Sequence, residues 1–239
     1  MKSRTLVISD IHGCYRSFNH LLEQIAYHPS TDQLILLGDF VDKGPDSNKV
    51  VEQVIGLVRD DGAIAILGNH DQRFVDLILD RSEEAREKFF KHGGRQTLYS
   101  YIDKNSSKLS DEELLAELKE TVLNQFPHHI AFLDQLPYYH EDEHYIYVHA
   151  GLNPRYANWK EQPKRDFLYI KQPFHQEDPV VTKTVIFGHT NTINLHGKPD
   201  VWFGNGKIGI DGGCSIGLQL NALEISNSNE LKAHSVQAI

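Results

Sequence analysis

Short apolar runs alternate with helix-like stripes through the first third of the chain. The runs at 5–9, 34–37 and 63–67 are almost continuously apolar, which is typical of buried strands. Between them, residues 16–27 and 47–60 place apolar side chains at helical spacing. The order is therefore βαβαβ, which predicts a partly parallel sheet covered by helices.

The rest of the chain carries weaker patterns. Residues 70–135 are mainly helix-like, with an apolar stripe along 111–123. Residues 155–180 are polar and contain three prolines, which predicts a loop, and the polar tail from about 226 is expected to fray. Further strands are predicted at 145–148, 184–187, 207–210 and 218–225. Nothing marks a domain boundary, so we expect one domain over 1–239 with a helical insertion at roughly 73–135.

The charge and amino-acid composition indicate which kinds of molecule the protein could bind. The chain has 33 acidic and 24 basic residues and a formal charge of −9, which argues against nucleic-acid binding because phosphate backbones favour clustered basic residues. A phosphorylated substrate is not excluded, since bound cations would reverse the local field. No apolar stretch approaches the length of a membrane span, and two cysteines are too few for a disulfide framework. We therefore expect a cytoplasmic protein without a membrane partner.

Six apolar runs are followed by residues that can bind metal or transfer protons. In an open α/β sheet, side chains beyond the carboxyl ends of the strands meet in one crevice. Carboxylate, imidazole and amide groups suit Mn, Fe, Zn or Mg, and this set is too large for one ion. We therefore expect two ions about 3.5–4 Å apart, an arrangement used for phosphate-ester cleavage. The residues that follow the runs are Asp10, His12, Asp39, Asp42, Asn69, His70, His149, His189 and Asp211.

Five short motifs make this pattern specific. DIHG, GDFVDKGP, GNHD, VHAG and FGHT occur in this order between residues 10 and 190. Together they resemble the calcineurin-like metallophosphoesterase superfamily. GDFVDKGP and VHAGLNP resemble its phosphoprotein phosphatase (PPP) family, and the bacterial and phage-type serine/threonine phosphatases in particular. The resemblance implies an α/β fold in which a mixed β-sandwich is flanked by helices, with a dimetal site at the strand ends.

The resemblance also implies a role for each matching residue. A hydroxide between two divalent ions would attack phosphorus in line. His70 would protonate the leaving group, since Asp42 would orient its imidazole and favour the charged form. Mn is the expected metal, with Fe or Zn as the alternatives. The residues that would hold the ions, with Asp39 as the bridge, are Asp10, His12, Asp39, Asn69, His149 and His189.

Two lysines stand where the family usually has arginine. Lys43 follows the second aspartate of GDFVDKGP, and Lys171 in LYIK takes the place of a downstream arginine. The planar guanidinium of arginine can form two hydrogen bonds to one phosphate, whereas the ammonium of lysine is a point charge. We therefore expect the phosphate to be oriented less firmly, but the site to remain active. Arg95 and Arg165 are the candidates to compensate.

The remaining polar residues have plainer interpretations. Asp211 precedes a DGG turn and is interpreted as structural. Cys14 and Cys214 are interpreted as small buried thiols. Nine of the histidines outside the motifs are interpreted as surface residues, namely His20, His28, His128, His129, His140, His144, His175, His196 and His234.

Three functions are consistent with this sequence. The favoured one is a metal-dependent phosphomonoesterase that acts on phosphoserine or phosphothreonine in a protein, or on a small phosphoester. Dinucleoside tetraphosphate hydrolysis (of the Ap4A type) would use the same ligands, with the substrate chosen by residues 73–135 and 153–183. A non-catalytic scaffold is the third, although none of the six expected ligands is missing.

Overall fold

Two five-stranded sheets form the centre of the protein, which a computed structural model describes over residues 2–102 and 109–239. The strands are β1 (Arg4–Ile8), β2 (Asp32–Leu36), β3 (Ile64–Ala65), β4 (Tyr139–Glu141), β5 (Tyr145–Val148), β6 (Thr184–Phe187), β7 (Trp202–Gly204), β8 (Lys207–Gly209), β9 (Gln219–Ser226) and β10 (Leu231–Gln237). The first sheet has the order β10-β9-β1-β2-β3 and the second β4-β5-β6-β8-β7. In each sheet three adjacent strands are parallel, β1-β2-β3 and β5-β6-β8, and the outer pairs are antiparallel.

Helices cover the outer faces of the sheets. They are α1 (Tyr15–Gln24), α2 (Ser47–Asp61), α3 (Asn69–Ile78), α4 (Glu83–Phe89), α5 (Gly94–Tyr101), α6 (Asp111–Gln125), α7 (Pro127–Asp134), α8 (Lys164–Tyr169) and α9 (Ile193–His196). The predicted helices at 16–27, 47–60 and 111–123 correspond to α1, α2 and α6. The helical segment predicted at roughly 73–135 includes residues 103–108, which lie outside the described residues. Among the described residues, no helix combines the length and the apolar character needed to cross a membrane.

Alternation along the strands divides the core into layers. In β1, Leu6 packs under the helices while Val7 packs between the two sheets. In β5, Tyr147 joins that same layer between the sheets, while Val148 faces the opposite way. The predicted α/β class, a mixed β-sandwich flanked by helices, is confirmed.

Two regions that were predicted to be irregular contain regular structure. The helix α8 lies within 155–180 and follows Pro163, a residue that readily precedes or begins a helix. The prediction of a frayed tail is wrong, because β10 pairs with β9 along its whole length. As an edge strand, β10 buries only Val236, so its backbone hydrogen bonds hold it in place while its composition stays polar.

Candidate metal centre

The carboxyl ends of the parallel strands of both sheets meet at one place. The backbone N–H of His189, after β6, donates to the carboxylate of Asp10, after β1, at 2.9 Å. His149, after β5, brings its Nε2 within 2.9 Å of Asn69 Oδ1 and 3.4 Å of Asp39 Oδ1, after β3 and β2. Side chains that are far apart in the sequence therefore share one pocket, as the strand-end pattern predicts.

Asp39 lies between two groups of imidazoles. Its Oδ2 is 3.4 Å from His12 Nε2 and 4.0 Å from His70 Nε2. On its other side, Asp39, His149 and His189 offer ligand atoms that all lie within 4.8 Å of one another. We call the His12 side the first half-site and the His149 side the second half-site. The two oxygens of one carboxylate thus face different half-sites, which is the arrangement required of a bridging ligand.

The protonation of the imidazoles tests whether this pocket fits cations. His12 Nδ1 donates to the Val41 carbonyl at 2.7 Å, and His149 Nδ1 donates to the Leu37 carbonyl at 2.8 Å. Burial lowers the pKa of His12 well below its usual value, so its Nε2 carries a lone pair. His149 Nε2 faces Asn69 Oδ1 at 2.9 Å and Asp39 Oδ1 at 3.4 Å. Imidazole nitrogens, carboxylate oxygens and an amide oxygen that converge in this way form a ligand set that fits divalent ions.

The strand-end loops turn these side chains inward through unfavourable backbone conformations. Left-handed φ values are uncommon for residues other than glycine, and they persist only where the surrounding structure enforces them. Of the nine such residues in the described part of the chain, Ala26, Asp80 and Asn229 lie elsewhere and six belong to the predicted site. These six are Asp10 (φ 54°), His12 (φ 48°), Asp39 (φ 58°), Asp42 (φ 71°), Lys43 (φ 67°) and His189 (φ 61°).

His70 is held in a fixed orientation by Asp42. Its Nδ1 donates to Asp42 Oδ2 at 2.7 Å, and both side chains are buried. The Thr97 hydroxyl donates to the other carboxylate oxygen at 2.9 Å and accepts from the Asp42 backbone N–H at 2.7 Å. The imidazole is therefore fixed with its Nε2 directed toward the first half-site, where it could hold or deliver a proton.

The predicted phosphate-binding cations lie in three different surroundings. Lys43 Nζ contacts His12 Nε2 at 2.8 Å, so its charge lies in the first half-site. Lys171 is exposed and lines an open groove together with Tyr169. Arg95 pairs at 2.7 Å with an acidic side chain of α6 on the surface, and the structure does not bring it to the cluster.

Asp211 and the two cysteines lie in buried positions. Asp211 accepts hydrogen bonds from Asn191 Nδ2 at 2.6 Å and from the Gly213 backbone N–H at 2.9 Å. Cys14 and Cys214 are buried free thiols, which confirms their interpretation.

Comparison with known proteins identifies the family of this chain. The family model for calcineurin-like phosphoesterases matches residues 3–204, a range that contains all six predicted metal ligands. This chain belongs to the calcineurin-like phosphoesterase family. Enzymes of this family use divalent metal ions, and the chain is accordingly a hydrolase that acts on phosphoester bonds.

Individual relatives within this family differ in how much of the chain they match. The asymmetrical bis(5'-nucleosyl)-tetraphosphatase PrpE of Anoxybacillus flavithermus is 27% identical over 91% of this chain and 88% of its own length. A symmetrical bis(5'-nucleosyl)-tetraphosphatase of Nitrosomonas europaea is 34% identical over 65% of this chain, which spans only 46% of that relative.

Solved structures of other proteins share the fold. A candidate diadenosine tetraphosphatase has a TM-score of 0.69 and 23% identity, over 100% of this chain and 95% of that chain. A serine/threonine phosphatase from Saccharomyces cerevisiae has a TM-score of 0.60 and 14% identity, over 100% and 81% of the two chains. These two similarities show the fold alone.

Sequence reasoning missed two residues, one at the end of the GNHD motif and one just after it. Asp71 is buried and accepts hydrogen bonds from the backbone N–H groups of Asp39 at 2.7 Å and Gly68 at 3.0 Å, so it fixes the loop that carries Asp39. Because Asp71 belongs to the motif, the sequence alone could have marked it as a candidate site residue. Arg73 is 7% exposed and lies 3.8 Å from Asp42, a contact that depends on how α3 is oriented and has no signature in the sequence.

Gly68 permits the close approach of the loops after β2 and β3. A Cβ at this position would lie 2.1 Å from the Asp39 backbone nitrogen and 2.3 Å from its Oδ1. We predict that Gly68→Ala displaces Asp39, destabilises the fold by about 1–3 kcal/mol and weakens metal binding.

Gly56 in α2 provides the matched control for this change. A Cβ there meets nothing within 4 Å, so Gly56→Ala should stabilise the protein by about 0.5–1 kcal/mol. Thermal unfolding and metal analysis of both variants measure the contrast. Full metal content in Gly68→Ala would contradict the tight packing proposed for this loop.

Proposed function

We propose that the chain hydrolyses dinucleoside polyphosphates of the bis(5'-nucleosyl)-tetraphosphate class, rather than the phosphoserine and phosphothreonine esters favoured by the sequence. The observation that carries this proposal is a cleft of about 430 Å³ beside the candidate metal centre. Its lining residues His92 and Tyr169 have their rings 6.3 Å from His70 and 6.2 Å from His189. The activity named for PrpE, which aligns over most of its length, supports it.

The lining of the cleft suits a polyanion joined to aromatic bases. Its four Lys and Arg side chains outnumber Asp76 and Glu84, which gives a locally positive field in a chain of net charge −9. A polyphosphate bridge carries several negative charges and would be attracted there. The basic and aromatic residues of the lining are Arg73, Lys88, His92, Lys164, Arg165, Tyr138 and Tyr169.

Tyr169 joins the cleft to the second half-site. Its ring lies 6.2 Å from the ring of His189, and the guanidinium of Arg165 lies 4.7 Å over its face. A stacked ring and guanidinium present flat surfaces of the kind on which nucleobases stack. A phosphoserine side chain has no base to place against these surfaces, so this arrangement favours a nucleotide.

The residues of the centre divide the chemical work. When bound, a pair of divalent ions supplies Lewis-acid activation of water and of the phosphoryl group. His70, oriented by Asp42, delivers a proton to the leaving oxygen from its Nε2. Arg73, which is buried beside Asp42 and lines the cleft, places positive charge where the phosphate chain enters. The residues that would hold the ions are Asp10, His12, Asp39, Asn69, His149 and His189.

A comparison of substrates tests the proposal. With Mn²⁺ added, kcat/KM for diadenosine tetraphosphate should exceed that for a phosphoserine peptide by at least about tenfold, because stacking contributes roughly 1–3 kcal/mol per base. Faster cleavage of the peptide would overturn the proposal and restore the phosphoprotein substrate. If the protein binds metals and cleaves neither substrate, the non-catalytic scaffold is the better description.

Arg165→Ala separates nucleotide binding from phosphate chemistry. Loss of the guanidinium over Tyr169 should raise KM for the dinucleotide about 5- to 30-fold, because a stacking contact of this kind contributes about 1–2 kcal/mol. Hydrolysis of p-nitrophenyl phosphate should stay unchanged. Arg86→Ala is the control, since Arg86 is an exposed arginine outside the cleft lining. Equal losses on both substrates would contradict a base-binding role for Arg165.

A further inference from the structure

A second group of metal-competent side chains lies on α2 and α7. Glu52 belongs to α2, and His128 and His129 are in the first turn of α7. The Nε2 atoms of both histidines lie 2.8 Å from the same oxygen, Glu52 Oε2. The three ligand atoms all lie within 4.8 Å of one another. We call these three residues the α2–α7 cluster, and none of them belongs to the candidate metal centre.

The interpretation of both histidines as surface residues is wrong for His129. Its side chain is 0% exposed, whereas that of His128 is 48% exposed. The Tyr101 hydroxyl lies 2.8 Å from His129 Nδ1, so the inner side of the ring is held and Nε2 faces Glu52.

We propose that Glu52, His128 and His129 form a zinc site that is separate from the catalytic ions and does not depend on the proposed substrate. Two imidazoles and one carboxylate are an established zinc ligand set, in which a solvent molecule completes the tetrahedron. Mg²⁺ and Ca²⁺ prefer sites built mainly from oxygen, so the two imidazoles favour zinc or a similar borderline metal.

The geometry of the α2–α7 cluster needs only a small adjustment to bind the ion. A tetrahedral site with bonds of about 2.0–2.2 Å separates its ligand atoms by roughly 3.4 Å, so Glu52 must withdraw by about half an ångström. Glu52 is 57% exposed and can make that movement, while the buried His129 stays fixed. An open groove that His129 lines with Tyr15 and Phe126 gives solvent access to the cluster.

The charge around the cluster also favours a cation. Lys49, the basic residue in the lining of this groove, pairs with Asp46 at 2.7 Å, so its charge is already compensated. As an exposed ion pair alone, Glu52 and His128 would contribute little to stability. A cation between the three ligands would instead join α2 to α7.

Zinc bound at the α2–α7 cluster would restrain α5, the helix whose Thr97 holds the Asp42 partner of His70. Tyr101 and Thr97 lie one turn apart on α5, and Thr97 donates to Asp42 at 2.9 Å. His129 contacts Tyr101 from the other side. Zinc held by His129 would therefore restrain α5 from a point outside the catalytic centre.

Zinc stoichiometry tests the proposal. Wild-type protein and the variants His128→Ala, Glu52→Ala and His144→Ala are dialysed against Zn²⁺ and their metal content is measured. Because Glu52, His128 and His144 all lie outside the candidate metal centre, that centre should take up zinc equally in all four, and the difference reports the α2–α7 cluster. We expect wild type and His144→Ala, an exposed histidine in the β4–β5 turn, to bind one ion more than the other two. Equal stoichiometry in all four proteins would overturn the proposal.

Two further measurements report on the fold around the site. Zn²⁺ should raise the Tm of wild type and His144→Ala more than that of His128→Ala, and an equal rise in all three would count against the site. Tyr101→Phe keeps the aromatic ring and removes the hydroxyl that orients His129. Its zinc affinity at the cluster should fall about 10- to 100-fold, which is typical for loss of a partner that orients a metal ligand. Unchanged affinity would overturn the role assigned to Tyr101.

Discussion

Asp39→Asn is expected to reduce turnover by about 10³-fold or more and to lower the bound metal content. Asp39 faces both half-sites, with Oδ2 3.4 Å from His12 and Oδ1 3.4 Å from His149. Asparagine keeps the shape but offers one neutral oxygen, so it can neither bridge two cations nor balance their charge. Metal activation contributes several kcal/mol to such reactions, and each 1.4 kcal/mol or so is a factor of ten in rate.

Asp32→Asn is the control for this substitution. Asp32 is an equally buried carboxylate at the start of β2, where it pairs with Arg4 at 2.9 Å, so its loss should affect stability without removing metal. Treatment of wild type with a chelator should abolish turnover, and Mn²⁺ should restore it. Asp39→Asn should stay inactive after the same addition. Normal metal content with normal turnover in Asp39→Asn would refute the bridging role.

The strand-end pattern predicted that these side chains would gather in one place because the geometry of parallel sheets is simple. In each sheet the parallel strands, β1, β2 and β3 in one and β5 and β6 in the other, deliver their next polar residues to the carboxyl end of that sheet, whatever lies between them in sequence. The contacts of Asp10 with His189 and of Asn69 with His149 cross from one sheet to the other, as that geometry requires. Periodicity alone did not show that two sheets face each other, and that expectation came from the motifs.

The strand-end pattern could not predict contacts that depend on how a helix is oriented. Thr97 holds Asp42 and Tyr101 holds His129, but both lie on α5, whose sequence resembles an ordinary amphipathic helix. His129 follows an exposed histidine and has no pattern that distinguishes it. The edge strand β10 was missed for a related reason, since its hydrogen bonds involve the backbone and leave no trace in side-chain polarity.

His70→Asn is expected to lower kcat by about 10² to 10⁴-fold while both metals stay bound. The Asp42 carboxylate accepts a hydrogen bond from His70 Nδ1 at 2.7 Å, which leaves Nε2 as the atom that would give up a proton. Asparagine can keep a hydrogen bond to Asp42 but cannot transfer a proton. Metal analysis is essential because His70, His12 and Asp39 also cluster closely enough to share an ion. Loss of a metal from His70→Asn would show that His70 is a ligand.

The dependence of the rate on the leaving group distinguishes two roles of His70, protonation of the leaving oxygen and orientation of the phosphate. A general acid matters most when the departing oxygen is strongly basic, so the loss in His70→Asn should be at least about tenfold greater for phenyl phosphate than for p-nitrophenyl phosphate. His144→Asn, at an exposed position, should change neither rate. An equal loss on both esters would mean that His70 orients the phosphate instead of protonating the leaving oxygen. The phosphate oxygen that departs when a phosphoanhydride is cleaved is also a weak base. The same reasoning therefore predicts that His70→Asn lowers the rate less for diadenosine tetraphosphate than for phenyl phosphate.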